Sequence, residues 1–155
     1  MDLGQFATQD NSDAGVWTPV ELYGKPCDFD ILILGDDADV VVKQGRKSLK
    51  KLKSAIAEDK KTNSDEYDDQ TIDELTESGN ESVLIRINGI RGWKVERKGS
   101  KVISKEPEPV TLCGEELKND IESYRKLITK IPALKEFILK VSRDRTNFLS
   151  EPSRS

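Results

Sequence analysis

Phe29-Asp30-Ile31-Leu32-Ile33-Leu34-Gly35-Asp36-Asp37 decides how this chain is read. The run from Phe29 to Leu34 is apolar apart from Asp30, short and rich in isoleucine, which is the pattern of a well-covered strand. Gly35-Asp36-Asp37 ends it. Paired acids just ahead of an apolar-periodic stretch predict a helix start, with Asp36 or Asp37 as N-cap at the positive end of the helix dipole.

Toward the N-terminus, Val16-Trp17-Thr18-Pro19-Val20-Glu21-Leu22 alternates apolar and polar positions, and Tyr23-Gly24-Lys25-Pro26 punctuates the chain before Phe29. Two strands around a Gly/Pro turn predict a small antiparallel β pair. Pro19 cannot donate to a ladder and belongs on an edge. Residues 1–14 read as a flexible leader ending in turn-forming residues.

Toward the C-terminus, Val41, Gly45, Leu49, Leu52 and Ile56 recur at helical spacing, and Lys43, Arg46, Lys47 and Lys50 fall roughly opposite. This predicts an amphipathic, basic helix over 38–58. Residues 60–70 carry no apolar period and several acids, so they read as a solvated, mobile acidic loop. Thr71-Ile72-Asp73-Glu74 fits a capping box. Ile72, Leu75, Val83, Ile87 and Ile90 can then line one helical face, the preferred reading. The competing one makes Val83, Ile85 and Ile87 a strand after a Gly79-Asn80 turn.

Gly89, Gly92 and Trp93 are read as the stop of that element, and Val95 to Val110 as a hairpin or loop turning at Lys98-Gly99. Leu117, Ile121, Tyr124, Leu127 or Ile128 and Ile131 predict a further helix, with Ile131-Pro132 as the break before a last helix carrying Leu134, Phe137, Ile138, Val141 and Phe148. The fold class expected is α+β: an N-terminal β pair, then a mainly helical body. Residues 15–149 form one domain, and 150–155 a disordered tail.

Composition narrows function. Charged residues make up 35% of the 155-residue chain, against about 25% in ordinary globular domains. Leu, Ile, Val and Phe reach about 26%, above the ~20% below which chains stay unfolded. Histidine is absent, which removes triads, Cys–His dyads and His-ligated metals. Cys27 and Cys113 match no metal spacing and are expected as two free thiols. No phosphate-binding or nucleophile-elbow motif occurs.

Asp28-x-Asp30 could in principle share a cation, while the acids at 36, 37 and 39 are explained by helix capping. Trp17 and Trp93 read as core anchors. No catalytic residue, metal, cofactor or small-molecule substrate is expected, so the chain reads as a non-enzyme. The N-terminus has no signal-peptide pattern, and no apolar run is long enough to span a bilayer. Membrane contact is therefore not expected. The lysine-rich helix lacks interleaved aromatics, and with a net charge of −4 nucleic acid is not expected as a partner.

Together these pieces resemble the tail assembly chaperones of long-tailed bacteriophages. The likeness runs over residues 3–149. It is carried by a leader ending in Gly15-Val16-Trp17, a strand entering Gly35-Asp36-Asp37-Ala38-Asp39 before a Lys/Arg-rich helix, a stretch closing on Trp93, a helix entering Ile131-Pro132-Ala133-Leu134, and the ending Arg145-Thr146-Asn147-Phe148-Leu149. The stretch after Trp93 departs from the pattern, being longer and more charged. The resemblance implies a virion-assembly role in the host (bacterial) cytoplasm. Such a protein binds the helical tape-measure protein, keeps it soluble and helps recruit tail-tube subunits. The expected partner-binding residues are Lys43, Arg46, Lys47, Lys50, Tyr124, Phe137 and Phe148, on the helix at 38–58 and the helices at 115–149. The competing readings are a structural minor tail or connector protein of the virion, and a small DNA-binding regulator.

Overall fold

The computed structural model describes residues 2–63 and 79–149. A 3-10 turn at Leu3–Phe6 and a short helix, α1 (Gln9–Ala14), precede strands β1 (Val16–Leu22) and β2 (Lys25–Ile33). Helix α2 (Asp39–Asn63) follows, and a helical stretch at 79–84 leads into β3 (Ile87–Lys98) and β4 (Lys101–Glu108). A small ladder, β5 (Thr111–Leu112) with β6 (Glu115–Glu116), comes before helices α3 (Ile121–Lys130) and α4 (Pro132–Arg143). A 3-10 turn at Arg145–Phe148 closes the fold.

The class is α+β, as the sequence predicts. The N-terminal pair is half of a four-stranded antiparallel sheet in the order β1-β2-β3-β4. Pro19 lies on the edge strand β1, beside a bulge between Pro19 and Glu21. Phe29, Ile31 and Ile33 alternate along β2 toward one face, the period-2 consequence of a pleated strand. They meet Val83, Leu84, Ile87 and Ile90, and α3 and α4 add Tyr124, Leu127, Ile128, Leu134 and Ile138 to the same core.

Three expectations need correction. Residues 81–90 are not one helix: helical structure ends at Leu84, and β3 begins at Ile87. The misleading period has a physical source. Ile87 pairs with Ile33 and Gly89 with Leu32, so Asn88 is an extra, bulged residue. The bulge turns Ile87 and Ile90, three positions apart, into the same core and mimics helical spacing.

Second, Gly89, Gly92 and Trp93 lie inside β3 rather than at its end. Among the described residues the body after the β pair is mainly helical, as predicted, but it also supplies the β3–β4 hairpin turning at Gly99, which is half of the sheet. Third, residues 60–63, expected in the acidic loop, belong to α2. Positions 64–70 of that loop, the capping box at 71–74 with Leu75, and the tail at 150–155 lie outside the described residues. Cys27 and Cys113 are both free thiols.

Candidate functional site

Three successive backbone amides at the end of β2 are satisfied by three separate parts of the chain. Leu34 N–H donates to the Arg86 carbonyl (2.8 Å), Gly35 N–H to the Ser12 carbonyl (3.2 Å) and Asp36 N–H to the Ser142 carbonyl (3.0 Å). Side chains reinforce two of these links. Arg86 Nη2 reaches Asp36 Oδ1 at 2.8 Å, and its Nε donates to Ser142 Oγ at 2.9 Å. The Ser142 hydroxyl donates to the Leu34 carbonyl at 2.7 Å.

Asp37 accepts two bonds from the Arg145 guanidinium, at 2.9 and 3.0 Å, and one from the Thr8 hydroxyl. Those bonds, Arg145 first, hold its carboxyl below the usual aspartate range. Gly35 is required here. A Cβ would stand 2.8 Å from Ser12 Cβ and 3.1 Å from the Phe148 ring.

The N-cap expectation for Asp36 and Asp37 is therefore wrong. Both carboxylates are committed to arginines, and α2 begins later, at Asp39. Its first amide, Asp39 N–H, donates to Asp13 Oδ1 at 2.8 Å. The cap is supplied from α1, which replaces the loose leader predicted for this stretch.

From this junction α2 leaves the body. Val41 and Ala38 pack on Leu34 with Ile85 alongside, and Gln44 donates to Glu81. Farther along, Leu49 is 54% exposed. Lys43, Arg46, Lys47 and Lys50 are all exposed. Lys43 pairs with Asp39 at 2.8 Å, which raises its pKa through that hydrogen bond and the attached charge. At 100° per residue Lys43, Lys47 and Lys50 lie roughly opposite the predicted stripe of Val41, Gly45, Leu49, Leu52 and Ile56, and Arg46 lies nearer its edge.

The aromatic members of the predicted surface behave differently. Phe148 is 1% exposed and Tyr124 8%, so both are framework rather than contact surface. Burial, then the Asp120 charge, pushes the Tyr124 hydroxyl up, and it donates to Asn119 at 3.1 Å. Phe137 is half-buried against the core. An open groove of about 850 Å³ is lined by Val40, Leu84, Ile85, Ile87, Ile121 and Tyr124, with Asp13, Asp39, Glu81 and Arg125 contributing charge.

The sheet face away from α3 and α4 carries a feature the sequence reading missed. Arg91 stacks over Trp17 (4.2 Å to the ring centroid) and Trp93 (5.3 Å), and Lys105 covers Trp93 at 4.3 Å. Buried Asp30 accepts from Arg91 Nε at 2.8 Å and from Trp93 Nε1 at 2.9 Å. Neither tryptophan is a core anchor, since Trp17 is 38% exposed and Trp93 half-buried. One signal was available: Asp30 is the only charged residue in the Phe29–Leu34 run, so it requires a partner. Asp28 pairs with Arg97 instead of sharing a cation with Asp30. No cluster of metal-ligating side chains occurs among the described residues.

Protein families, curated proteins and solved structures were each compared with this chain, and none matches. Among the described residues no helix is long and apolar enough to cross a membrane.

Proposed function

We propose that this chain is a tail assembly chaperone of the long-tailed bacteriophage type. In the host cytoplasm it binds the helical tape-measure protein, keeps that protein's apolar surface from aggregating and helps recruit tail-tube subunits. One observation carries the reading. The segments through which the sequence resembles that family are scattered, yet several of them meet at Gly35-Asp36-Asp37. Ser12 from the leader, Arg145 and Phe148 from the chain's ending, and Ser142 between them all contact these residues.

The junction launches α2, whose exposed apolar side chains and dense charge suit a holdase. Apolar side chains accept a helical client, and charge keeps the complex in solution. Phe148 serves this role from within, by packing beside Gly35 at the base from which α2 projects, while Tyr124 belongs to the main core.

Co-expression with the tape-measure protein of the same genome tests the reading. The expected result is soluble client recovered with this chain. Client solubility unchanged by this chain would remove the proposal. Abundance of the chain in purified particles, read by mass spectrometry, would favour a minor tail or connector protein instead.

A further inference from the structure

Val42, Leu49 and Ile56 recur at every seventh position of α2. That is the spacing of a helix seam that meets another helix. Val42 is 39% and Leu49 54% exposed, so among the described residues the seam lacks a full cover. From Val42 to Ile56 it runs about 21 Å at 1.5 Å per residue.

The seam is flanked asymmetrically. At 100° per residue, Lys53, Arg46, Lys50 and Lys43 follow one another on one side, while Ser48 and Gln44 lie on the other. Among the described residues, Lys43 has an ion-pair partner in Asp39, whereas Arg46, Lys50 and Lys53 have none.

We propose that this face of α2 docks a partner helix bearing carboxylates along one flank of its own apolar stripe. The commitment to an acidic-flanked helix comes from charge. Lys and Arg outnumber Asp and Glu eight to three over Asp39–Asn63, so a second copy brings the same excess and is repelled. A nucleic-acid backbone would match the cations but leave Val42 and Leu49 in water. A helix with apolar and acidic rows satisfies both rows at once. The neutral second flank fixes which side of the partner carries the acids. The inference deepens the chaperone reading by naming the client's chemistry, and it rests on that reading only for the client's identity.

The test uses the full chain and two synthetic helical peptides with the same heptad apolar stripe, one with Glu and one with Lys along the flank. Fluorescence anisotropy is expected to show the Glu peptide binding at least about tenfold tighter than the Lys peptide, with affinity rising as salt falls. The triple reversal R46E/K50E/K53E should invert the preference. Leu49→Ser should weaken the Glu peptide about tenfold, with helicity by circular dichroism unchanged in both variants.

Equal binding of the peptides, no binding of either, or an unaltered preference after reversal would overturn the proposal. So would a sedimentation dimer dissolved by Leu49→Ser, or duplex DNA binding tighter than the Glu peptide. Failure here, with the tape-measure protein still held soluble in co-expression, sinks the docking face and leaves the chaperone reading standing. Success here with an indifferent tape-measure protein does the reverse.

Discussion

Asp36 and Arg86 lie 50 residues apart in sequence and form a 2.8 Å ion pair in which the arginine is almost wholly enclosed. Ser142 binds both of them and also closes on the Leu34 carbonyl. A buried guanidinium is tolerated only when its donors are met. Here Asp36, Ser142 and Ser82 meet them. The junction thereby ties β2, the turn before β3 and α4 into one unit.

Arg86→Ala should cost on the order of 3 kcal/mol, because it strands the polar groups arranged around the guanidinium. Arg86→Met keeps the volume and should cost less. Urea denaturation followed by circular dichroism checks this. A change under about 0.5 kcal/mol for Arg86→Ala would mean that the network is ornamental to stability.

Gly35→Ala should destabilise by about 1–3 kcal/mol through overpacking against Ser12 and Phe148. The double variant Gly35→Ala with Ser12→Gly should recover part of that loss, since the nearest obstacle is then gone. Additive losses would show that the close approach is not the cause.

Much of this fold is legible in the residues, and the misses have physical reasons. The β pair, the basic helix and the Ile131-Pro132 break follow directly from local period and proline chemistry. Ile87 and Ile90 deceive because a bulge at Asn88 gives a strand a helical repeat. Asp36 and Asp37 look like caps because capping is the commonest local use of aspartate. Their true partners, Arg86 and Arg145, are remote in sequence, and no local rule reaches that far. Ser142 did carry a signal. It follows Leu134 and Ile138 at intervals of four on α4, where an apolar residue belongs, so a serine there implies a buried bond. For the candidate surface, exposure of α2 is a tertiary fact that amphipathicity alone cannot separate from core packing.

Acid should loosen the attachment of the chain's ending. Arg145, then Thr8, lower the Asp37 pKa below its ordinary 3.8 in the fold. A depressed folded pKa contributes stability above the unfolded value, and that contribution is lost as pH falls through the folded one. Thermal unfolding between pH 6 and pH 2 should therefore show a smaller acid-induced loss for Asp37→Asn than for the parent. The difference should shrink at high salt, because Arg145 is exposed. Parallel curves would mean that Asp37 does not sense acid through this pair.

Asp13→Ala should cost about 1 kcal/mol, the ordinary value of an N-cap, because Asp13 holds the first amide of α2 from another element. Its removal should fray the start of α2 without disturbing the sheet. Amide hydrogen exchange would resolve the two effects, with faster exchange at Asp39 to Val41 and unchanged protection at Ile31 and Ile33.

Asp30→Ala removes the shared acceptor of Arg91 and Trp93 beneath the cation–aromatic row. The Trp93 indole N–H loses its partner, and Arg91 loses the anchor that sets it over Trp17. The expected cost is about 1–3 kcal/mol, accompanied by a red shift of tryptophan emission as the rings meet water. Asp30→Asn retains an acceptor oxygen but not the charge, so it should hold the Trp93 bond while weakening Arg91. Its emission should then stay close to that of the parent even where its stability falls. An emission shift as large for Asn as for Ala would show that charge on Arg91, rather than the bond to Trp93, keeps the rings in place.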